Sequence, residues 1–253
     1  MDRGGVREVL EMILAERDDS QREHLMRFFK TGEGEYGEGD RFLGLRVPTT
    51  RGIVRKVYGS ISLDEIPELL ASEWHEVRLC GLLLLVEMMK RNLPGKRDSE
   101  SVMAEKKSRR KAIAALYLAN ACRANNWDLV DLSCQYILGP FFRIDEGGRI
   151  DVLLELSASD NLWEQRISIV TTLDFIRAGM MEPTLRLADR LLGHSHDLIH
   201  KVIGWTLREV GKRDKGLLLS YLERNYVRMP RIALRYAIER LPEPQRQSWL
   251  QRK

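Results

Sequence analysis

The fold is decided by three stretches of this sequence: residues 126–131 (NWDLVD), 163–166 (WEQR) and 201–208 (KVIGWTLR). Each places a tryptophan three or four residues from a charged side chain, a spacing that puts both on one face of an α-helix. The charged positions recur regularly, because Asp131, Arg166 and Lys201 are each 35 residues apart. A period of about 20 to 50 residues is typical of a helical repeat array. The stretches therefore predict repeated helices that present aromatic and charged groups to a ligand.

Helical periodicity dominates the rest of the chain, and no alternating, β-branched run bounded by hairpin turns interrupts it. Helix pairs joined by short turns, without a heptad seam, favour an all-α fold of the HEAT-like helical-repeat solenoid type, an α-α superhelix with a concave ligand surface. We expect a single domain over residues 1–253, with an acidic glycine-rich loop near 31–41. The step from Arg78 to Asp131 is 53 residues rather than 35, which indicates a basic insertion near 92–111.

Composition excludes several classes of protein. Hydrophobic residues make up 43% and charged residues 31% of the 253 positions, as in an ordinary water-soluble domain. No apolar run reaches the roughly 18 to 20 residues of a membrane helix, and the first residues lack the basic-then-apolar order of a secretion signal. Cys80, Cys122 and Cys134 have neither an even count nor the spacing of metal ligands, so we expect a reduced, cytoplasmic protein.

The basic residues are unevenly distributed. The net charge is only +4, with an isoelectric point near 9.0, but residues 197–253 contain 13 Lys and Arg against 6 Asp and Glu. A second cluster, KKSRRK, occupies residues 106–111. Local basic zones on a mildly basic chain are compatible with a polyanionic partner. A solvated helix face explains the 106–111 cluster at least as well.

Two further motifs give no support to a cofactor. Residues 32–37 (GEGEYG) match GxGxxG, but a helix precedes them and their glutamates would repel phosphate, so we interpret them as part of a surface loop. His196 and His200 have the spacing of a metal-binding pair, but no glutamate lies between them and no other ligand set is evident. Polar residues at a helix start are the better interpretation. We therefore expect neither a metal nor an organic cofactor.

Trp127 and Asp131 are the candidate functional pair. We expect Asn126 to cap a helix over residues 127–138, which places Asp131 beyond the first turn, where the helix dipole no longer favours a carboxylate. A carboxylate beside an indole is costly unless a cation compensates it. That cation can come from a ligand or from the protein, where Arg166, one repeat later, is the candidate. From the residues alone, a functional and a structural role are equally compatible with the pair.

These residues carry a resemblance to a known family. The chain is similar to the AlkD-like DNA alkylation repair family, the HEAT-repeat alkylpurine DNA glycosylases, in four stretches: residues 42–48 (FLGLRVP), 126–133 (NWDLVDLS), 161–166 (NLWEQR) and 200–211 (HKVIGWTLREVG). Weaker similarity continues through residues 229–241 (MPRIALRYAIERL). The acidic loop and the basic insertion depart from the family's pattern, which leaves the range of substrates open.

The resemblance implies hydrolysis of the N-glycosidic bond of cationic alkylated purines, of the 3-methyladenine or 7-methylguanine type, in duplex DNA. This is a step of base excision repair, and the family is thought to perform it without base flipping. By the same resemblance the catalytic aspartate falls on Asp131, the two nucleobase-flanking tryptophans fall on Trp127 and Trp205, and the active-site arginine falls on Arg166. The alternatives are a non-catalytic HEAT-repeat protein that binds damaged or distorted DNA, and a protein–protein scaffold whose aromatic residues form an interface.

The expected partner is double-stranded DNA with alkylated purines, bound by a monomer. Six basic residues are candidates for contacts with the DNA backbone: Lys201, Arg208, Lys212, Arg213, Arg231 and Arg235. Such contacts are sensitive to salt and indifferent to base sequence. For any one of these residues, an ordinary solvated charge is an equally good interpretation.

Overall fold

The computed structural model describes residues 4–252, which form helices joined by turns and loops. Over these residues the only strand-like feature is a single backbone pairing between Arg41 and Trp74. The prediction of an all-α helical-repeat fold is confirmed. No helix in the described part of the chain is long and apolar enough to cross a membrane.

The chain divides into two compact units, Met1–Ile137 and Leu138–Lys253. The first unit contains α1 (Gly4–Ala15), α2 (Asp19–Phe28), α3 (Val47–Val57), α4 (Ile66–Leu70), α5 (His75–Arg91), α6 (Glu100–Ala119) and α7 (Trp127–Asp131). The division falls within α8 (Cys134–Pro140). The second unit contains α9 (Asp151–Leu156), α10 (Leu162–Val170), α11 (Thr172–Arg177), α12 (Glu182–Leu191), α13 (Asp197–Arg213), α14 (Lys215–Asn225), α15 (Arg231–Ala237) and α16 (Glu243–Gln251). That the whole chain is one domain stays a prediction.

The core of the first unit is built around α5. Every residue of this helix from His75 to Leu85 is buried, because α1, α3, α4, α6 and α7 all pack against it. A helix that is buried on all sides is normally apolar on all sides. α5 departs from that rule at its first turns, where His75, Glu76 and Arg78 are buried as well. Buried charges of this kind need partners. One partner of His75, Asp128, lines the cavity of the candidate site.

The core of the second unit is built around α13, which packs against α10, α11, α12, α14 and α15. Its approach to α15 depends on Gly204. A β-carbon at that position would lie 2.4 Å from the carbonyl oxygen of Ala233 and 2.4 Å from the β-carbon of Tyr236. Glycine is therefore required for the close approach of α13, the helix that carries Trp205, to α15.

The expected basic insertion contains the first half of α6. Two of its cations hold the helix against the preceding loop: Lys106 pairs with Asp98 at 2.8 Å, and the buried Arg110 donates to the carbonyl oxygen of Asn92 at 2.6 Å. Lys107 and Lys111 are exposed. The cluster is thus divided between structural contacts and solvated charges, which agrees better with a solvated helix face than with a site for a polyanion.

Candidate active site

The helix that carries Asp131 is shorter than the sequence predicts. α7 ends at Asp131 and a new helix begins at Cys134, so the expectation of one continuous helix over residues 127–138 is wrong. Ser133 lies at the break, and its hydroxyl donates to the carbonyl oxygen of Leu129 at 2.5 Å, a contact of the kind that bends helices. Asp131 therefore lies at the C-terminal end of α7, where the helix dipole opposes a negative charge.

Trp127 and Asp131 lie one turn apart on the same face of α7, and both are half-buried. The side chain of Asn126 caps the helix by accepting from the Trp127 N–H at 2.8 Å, as expected. The two residues line a cavity of about 410 Å³. Its other walls are formed by Leu25, Phe28, Phe29, Phe42, Leu45, Arg46, Val47, Pro48, His75, Glu76, Leu79, Asp128 and Leu132. The volume lies within the range of small-molecule sites, about 300 to 1,000 Å³.

A row of stacked rings runs from this cavity into the core. Trp127 stacks on Phe29 with ring centres 5.2 Å apart, Phe29 stacks on Phe42 at 5.1 Å, and Phe42 stacks on His75 at 4.3 Å. Phe28 meets Trp127 edge-on at 5.9 Å and is 55% exposed, so it stands at the open side of the row. Such ring pairs prefer defined relative orientations. The row therefore fixes the plane of the Trp127 indole.

His75 ends the row inside the protein, between two carboxylates. Its Nδ1 donates to Asp40 at 2.7 Å and its Nε2 donates to Asp128 at 2.9 Å. Burial by itself would lower the pKa of His75, but the charges and hydrogen bonds of Asp128 and Asp40 outweigh burial and raise this pKa from 6.5 to about 9. His75 is consequently an imidazolium at neutral pH, with both of its N–H groups in use.

Asp40 joins this network to the acidic loop. Burial alone would raise the pKa of Asp40, but the hydrogen bond and charge of His75, together with Arg78, hold it below its usual value. Arg78 donates to the second carboxylate oxygen of Asp40 and to the carbonyl oxygens of Ser72 and Glu73. A buried ion pair is stable only when its remaining polar atoms are hydrogen-bonded. The Asp40 carboxylate meets that condition on both of its oxygens.

Glu76 is another buried carboxylate, and like Asp128 it lines the cavity. It accepts from three successive backbone N–H groups, those of Leu43, Gly44 and Leu45, at distances of 2.8 to 3.1 Å. A carboxylate with several N–H donors is stable as an anion even when buried. Glu76 thereby holds the segment that follows the acidic loop, including the ring of Phe42, against the start of α5.

The loop over residues 32–37 is satisfied internally and is not a phosphate cradle. The carboxylate of Glu35 accepts from the Gly32 N–H at 2.9 Å, and that of Glu38 accepts from the Gly34 N–H at 2.9 Å. A nucleotide loop would leave such N–H groups for the ligand. The surface-loop interpretation of the sequence agrees with these contacts.

Several residues of the site were missed by the sequence reasoning: Phe29, Phe42, His75, Glu76 and Asp128. A weak signal was present. His75 and Glu76 come shortly before an apolar run, residues 79–86 (LCGLLLLV), and such ionisable residues must find partners if the helix they begin is buried. The sequence does not say which partners these are, because Asp40 and Asp128 lie 35 and 53 residues from His75.

The other two predicted catalytic residues lie in the second unit. Arg166, on α10, is 5% exposed and donates to the carbonyl oxygen of Leu198 at 2.8 Å. Trp205, on α13, is half-buried. The structure thus brings Trp127 and Asp131 together within the first unit. That all four side chains act on one lesion stays a prediction.

Trp205 shares its helix face with three of the predicted DNA contacts. Lys201, Arg208 and Lys212 are four residues before, three after and seven after it along α13, so all four side chains lie on one side of the helix. Arg208 pairs with Glu239, and Lys212 pairs with Glu209 at 2.6 Å. Exposed ion pairs of this kind contribute little to stability, so a phosphate can compete for these cations.

The remaining predicted DNA contacts are Arg213, Arg231 and Arg235, and all three are exposed. Arg231 and Arg235 lie one turn apart on α15, and Arg231 donates to the carbonyl oxygen of Leu250 at 2.6 Å. On α13, Arg213 is eight residues after Trp205 and lies about 80° around the helix from it, at the edge of the face that carries Trp205. Its place in a shared DNA surface has less geometric support than that of Lys212.

The histidines near the start of α13 have structural roles. The side chain of His196 caps the helix by accepting from the Leu198 N–H at 3.1 Å, and His194 bonds to the side chain of Gln165 at 2.9 Å. Burial is the main reason that the pKa values of His194 and His196 lie below 6.5. The interpretation as polar residues at a helix start agrees with this geometry.

The site combines a half-open aromatic wall with a carboxylate. Aromatic faces and a nearby negative charge both favour a cation. Residues 4–252 contain no group of three or more His, Cys, Asp or Glu side chains placed to hold a metal ion. The indole of Trp127 and the carboxylate of Asp131 are together suited to a cationic ligand.

Comparisons with known proteins give a family and a similar fold. A family model described as DNA alkylation repair enzyme matches residues 9–241. Among solved structures, the chain is similar to a protein of Enterococcus faecalis described as a predicted DNA alkylation repair enzyme, with a TM-score of 0.66 and 13% sequence identity, over 90% of this chain and 97% of the other. At that identity the likeness shows the fold alone. No curated protein matches the chain.

Proposed function

Since the chain belongs to the family of DNA alkylation repair enzymes, we propose that it is an alkylpurine DNA glycosylase of base excision repair. Its substrates are cationic alkylated purines of the 3-methyladenine or 7-methylguanine type in duplex DNA, and it hydrolyses their N-glycosidic bond. The observation that carries the proposal is that Trp127 and Asp131 share one face of α7 and line an aromatic cavity. A cytoplasmic location and a monomeric state belong to the same proposal.

The reaction follows from the charge of the lesion. Alkylation at N3 or N7 places a positive charge on the purine, which makes it a good leaving group without protonation by the enzyme. As the bond breaks, the sugar gains oxocarbenium character, as in glycoside hydrolysis. The carboxylate of Asp131 stabilises that positive charge and orients the attacking water. Water supplies the hydroxyl group at the sugar carbon and loses its other proton to solvent, and the base leaves as a neutral molecule with the bonding electron pair.

The tryptophans and the arginine supply binding. Trp127 and Trp205 offer ring faces to the cationic base and the deoxyribose, each contributing on the order of 0.5 to 2 kcal/mol. That energy discriminates a charged from a neutral base but does not account for a large rate enhancement. Arg166 anchors a phosphate next to the lesion. The six basic residues of α13 and α15 hold the rest of the backbone through salt-sensitive contacts.

We propose that the lesion is excised without base flipping. Most glycosylases turn the base out of the duplex into a closed pocket. Here Trp127 and Asp131 are half-buried, and the exposed ring of Phe28 stands beside them. This arrangement supports a lesion that is contacted along its edge, with its sugar next to Asp131.

The experiment is release of free base from a duplex that contains 7-methylguanine, measured for the wild-type protein and for Asp131→Asn. Release by the wild type that is lost in the variant is the expected result. Duplex binding without release in either protein would instead identify a non-catalytic protein that binds damaged DNA. Absence of duplex binding even at low salt would favour a protein–protein scaffold.

A further inference from the structure

The short helix α7 depends on its surroundings for its position. It has only five residues, far fewer than the roughly 12 to 15 that an isolated helix needs to be even marginally stable in water. Trp127 and Asp131 occupy its two ends on the side of the cavity. Asp128 lies about 100° around the helix from Trp127 and is buried against His75. The bond between Asp128 and His75 is therefore a polar attachment of α7 to the core.

His75 is itself held from several directions. Its backbone N–H donates to the carbonyl oxygen of Arg41 at 2.8 Å, its Nδ1 donates to Asp40 at 2.7 Å, and its ring stacks on Phe42 at 4.3 Å. Asp40 in turn lies 3.4 Å from the amide nitrogen of Asn126, the residue that caps α7. One imidazole thus connects the acidic loop, α5 and α7.

We propose that His75 is a positioning residue, which fixes α7 through Asp128 and so places Trp127 and Asp131 at the cavity. The acidic glycine-rich loop contributes to this role because it places Asp40 on the other side of the imidazole ring. The consequence for catalysis rests on the proposed glycosylase function, whereas the consequence for the position of α7 does not.

Close packing of the acidic loop places Asp40 beside His75. A β-carbon at Gly37 would lie 2.4 Å from the carbonyl oxygen of Phe29 and 3.3 Å from the amide nitrogen of Asn126, so only glycine lets the loop pass this closely. The Asp40 N–H donates back to the carbonyl oxygen of Gly37 at 3.0 Å. These contacts place a surface loop that ends in a buried aspartate directly against the helix cap.

The charge state of His75 is part of the role. The charged groups around the ring are Asp40 from the loop, Asp128 from α7, and Glu76 and Arg78 from α5. Glu76 accepts from backbone N–H groups, and Arg78 donates to Asp40 and to the carbonyl oxygens of Ser72 and Glu73. A neutral imidazole has one N–H and can donate to only one of the two aspartates. Loss of its proton would therefore release either the loop or α7.

The test compares His75→Gln with a matched control, His24→Gln, in the full chain; His24 is an exposed histidine on α2 of the same unit. The first readout is the NMR signal of the Trp127 indole N–H, assigned with Trp127→Phe. The second is the single-turnover rate of base release, with the affinity for undamaged duplex measured in parallel. We expect His75→Gln to shift the indole signal and to slow release by about 10- to 100-fold, since small displacements of catalytic groups have effects of that size. Duplex affinity should stay within about twofold, and His24→Gln should change nothing.

The outcomes separate this inference from the proposed function. Base release that is unaffected by His75→Gln, with an unshifted indole signal, would overturn the positioning role and leave the glycosylase intact. If the wild type releases no base, the glycosylase proposal fails, and the indole signal still decides whether His75 positions α7. If His75→Gln does not fold, the positioning role is tested by a pH titration of the wild type alone. Its indole signal and release rate must then change together as the His75 ring nitrogens titrate on going from about pH 7 to about pH 10. A flat indole signal through that titration would contradict the inference.

Discussion

The buried imidazolium should make the protein less stable as the pH becomes alkaline. His75 has a pKa of about 9 in the folded chain against 6.5 as the reference value, and we expect the unfolded chain to have the latter. Because the folded pKa is the higher one, its contribution is fully present below about pH 6.5, falls as the pH rises, and is lost above about pH 9. The difference corresponds to about 3 kcal/mol of unfolding free energy. His75 is 2% exposed, so solvent does not screen this contribution.

Urea unfolding of the full chain at constant ionic strength, from about pH 6 to about pH 9.5, measures the effect. Other groups titrate in the same range, so the quantity of interest is the difference in unfolding free energy between the wild type and His75→Gln. We expect this difference to be largest at about pH 6 and to shrink by about 3 kcal/mol at the alkaline end. Curves for the two proteins that stay parallel over the whole range would show that His75 is not a buried imidazolium.

Three further substitutions test separate parts of the structure. Glu76→Gln removes the charge that accepts three backbone N–H groups, and we expect it to lower the unfolding free energy by about 2 to 3 kcal/mol in urea titrations; a change below about 0.5 kcal/mol would contradict this. Gly204→Ala places a methyl group 2.4 Å from α15 and should cost about 1 to 3 kcal/mol by the same measurement, whereas Gly193→Ala, which points into open space, should be neutral. Trp127→Ala should weaken binding and excision of a cationic lesion more than binding to undamaged duplex, as measured by fluorescence anisotropy and base release. Equal losses on both duplexes would argue against a ring–cation contact.

The sequence predicts the helical framework well because the signal is local. Apolar periodicity, the Asn126 cap and the i,i+4 spacing of Trp127 and Asp131 all lie within a few residues of one another. The break after Asp131 was missed because no proline or glycine marks it in the sequence. Serine occurs both inside helices and at their ends, so Ser133 alone does not predict a break.

The charged network could not be predicted for a different reason. Asp40, His75 and Asp128 come from a loop and two helices that are far apart in sequence, and nothing periodic links them. The acidic loop illustrates this. Its composition indicates an exposed segment, which is correct for Glu33 and Glu38, yet the same loop ends in a buried Asp40. Only the packing of tertiary structure distinguishes the two environments.

If the carboxylate of Asp131 acts on the glycosidic bond, its loss must slow the release of the base. The single-turnover rate of Asp131→Asn on a 7-methylguanine duplex measures this effect. The substitution keeps the shape of the side chain and removes its charge. We expect the rate to fall by at least about 100-fold, the effect of losing a preorganised electrostatic group, with duplex affinity within about twofold of the wild type. The exposed Asp160→Asn should retain the full rate. An Asp131→Asn protein that releases 7-methylguanine as fast as the wild type would contradict the account.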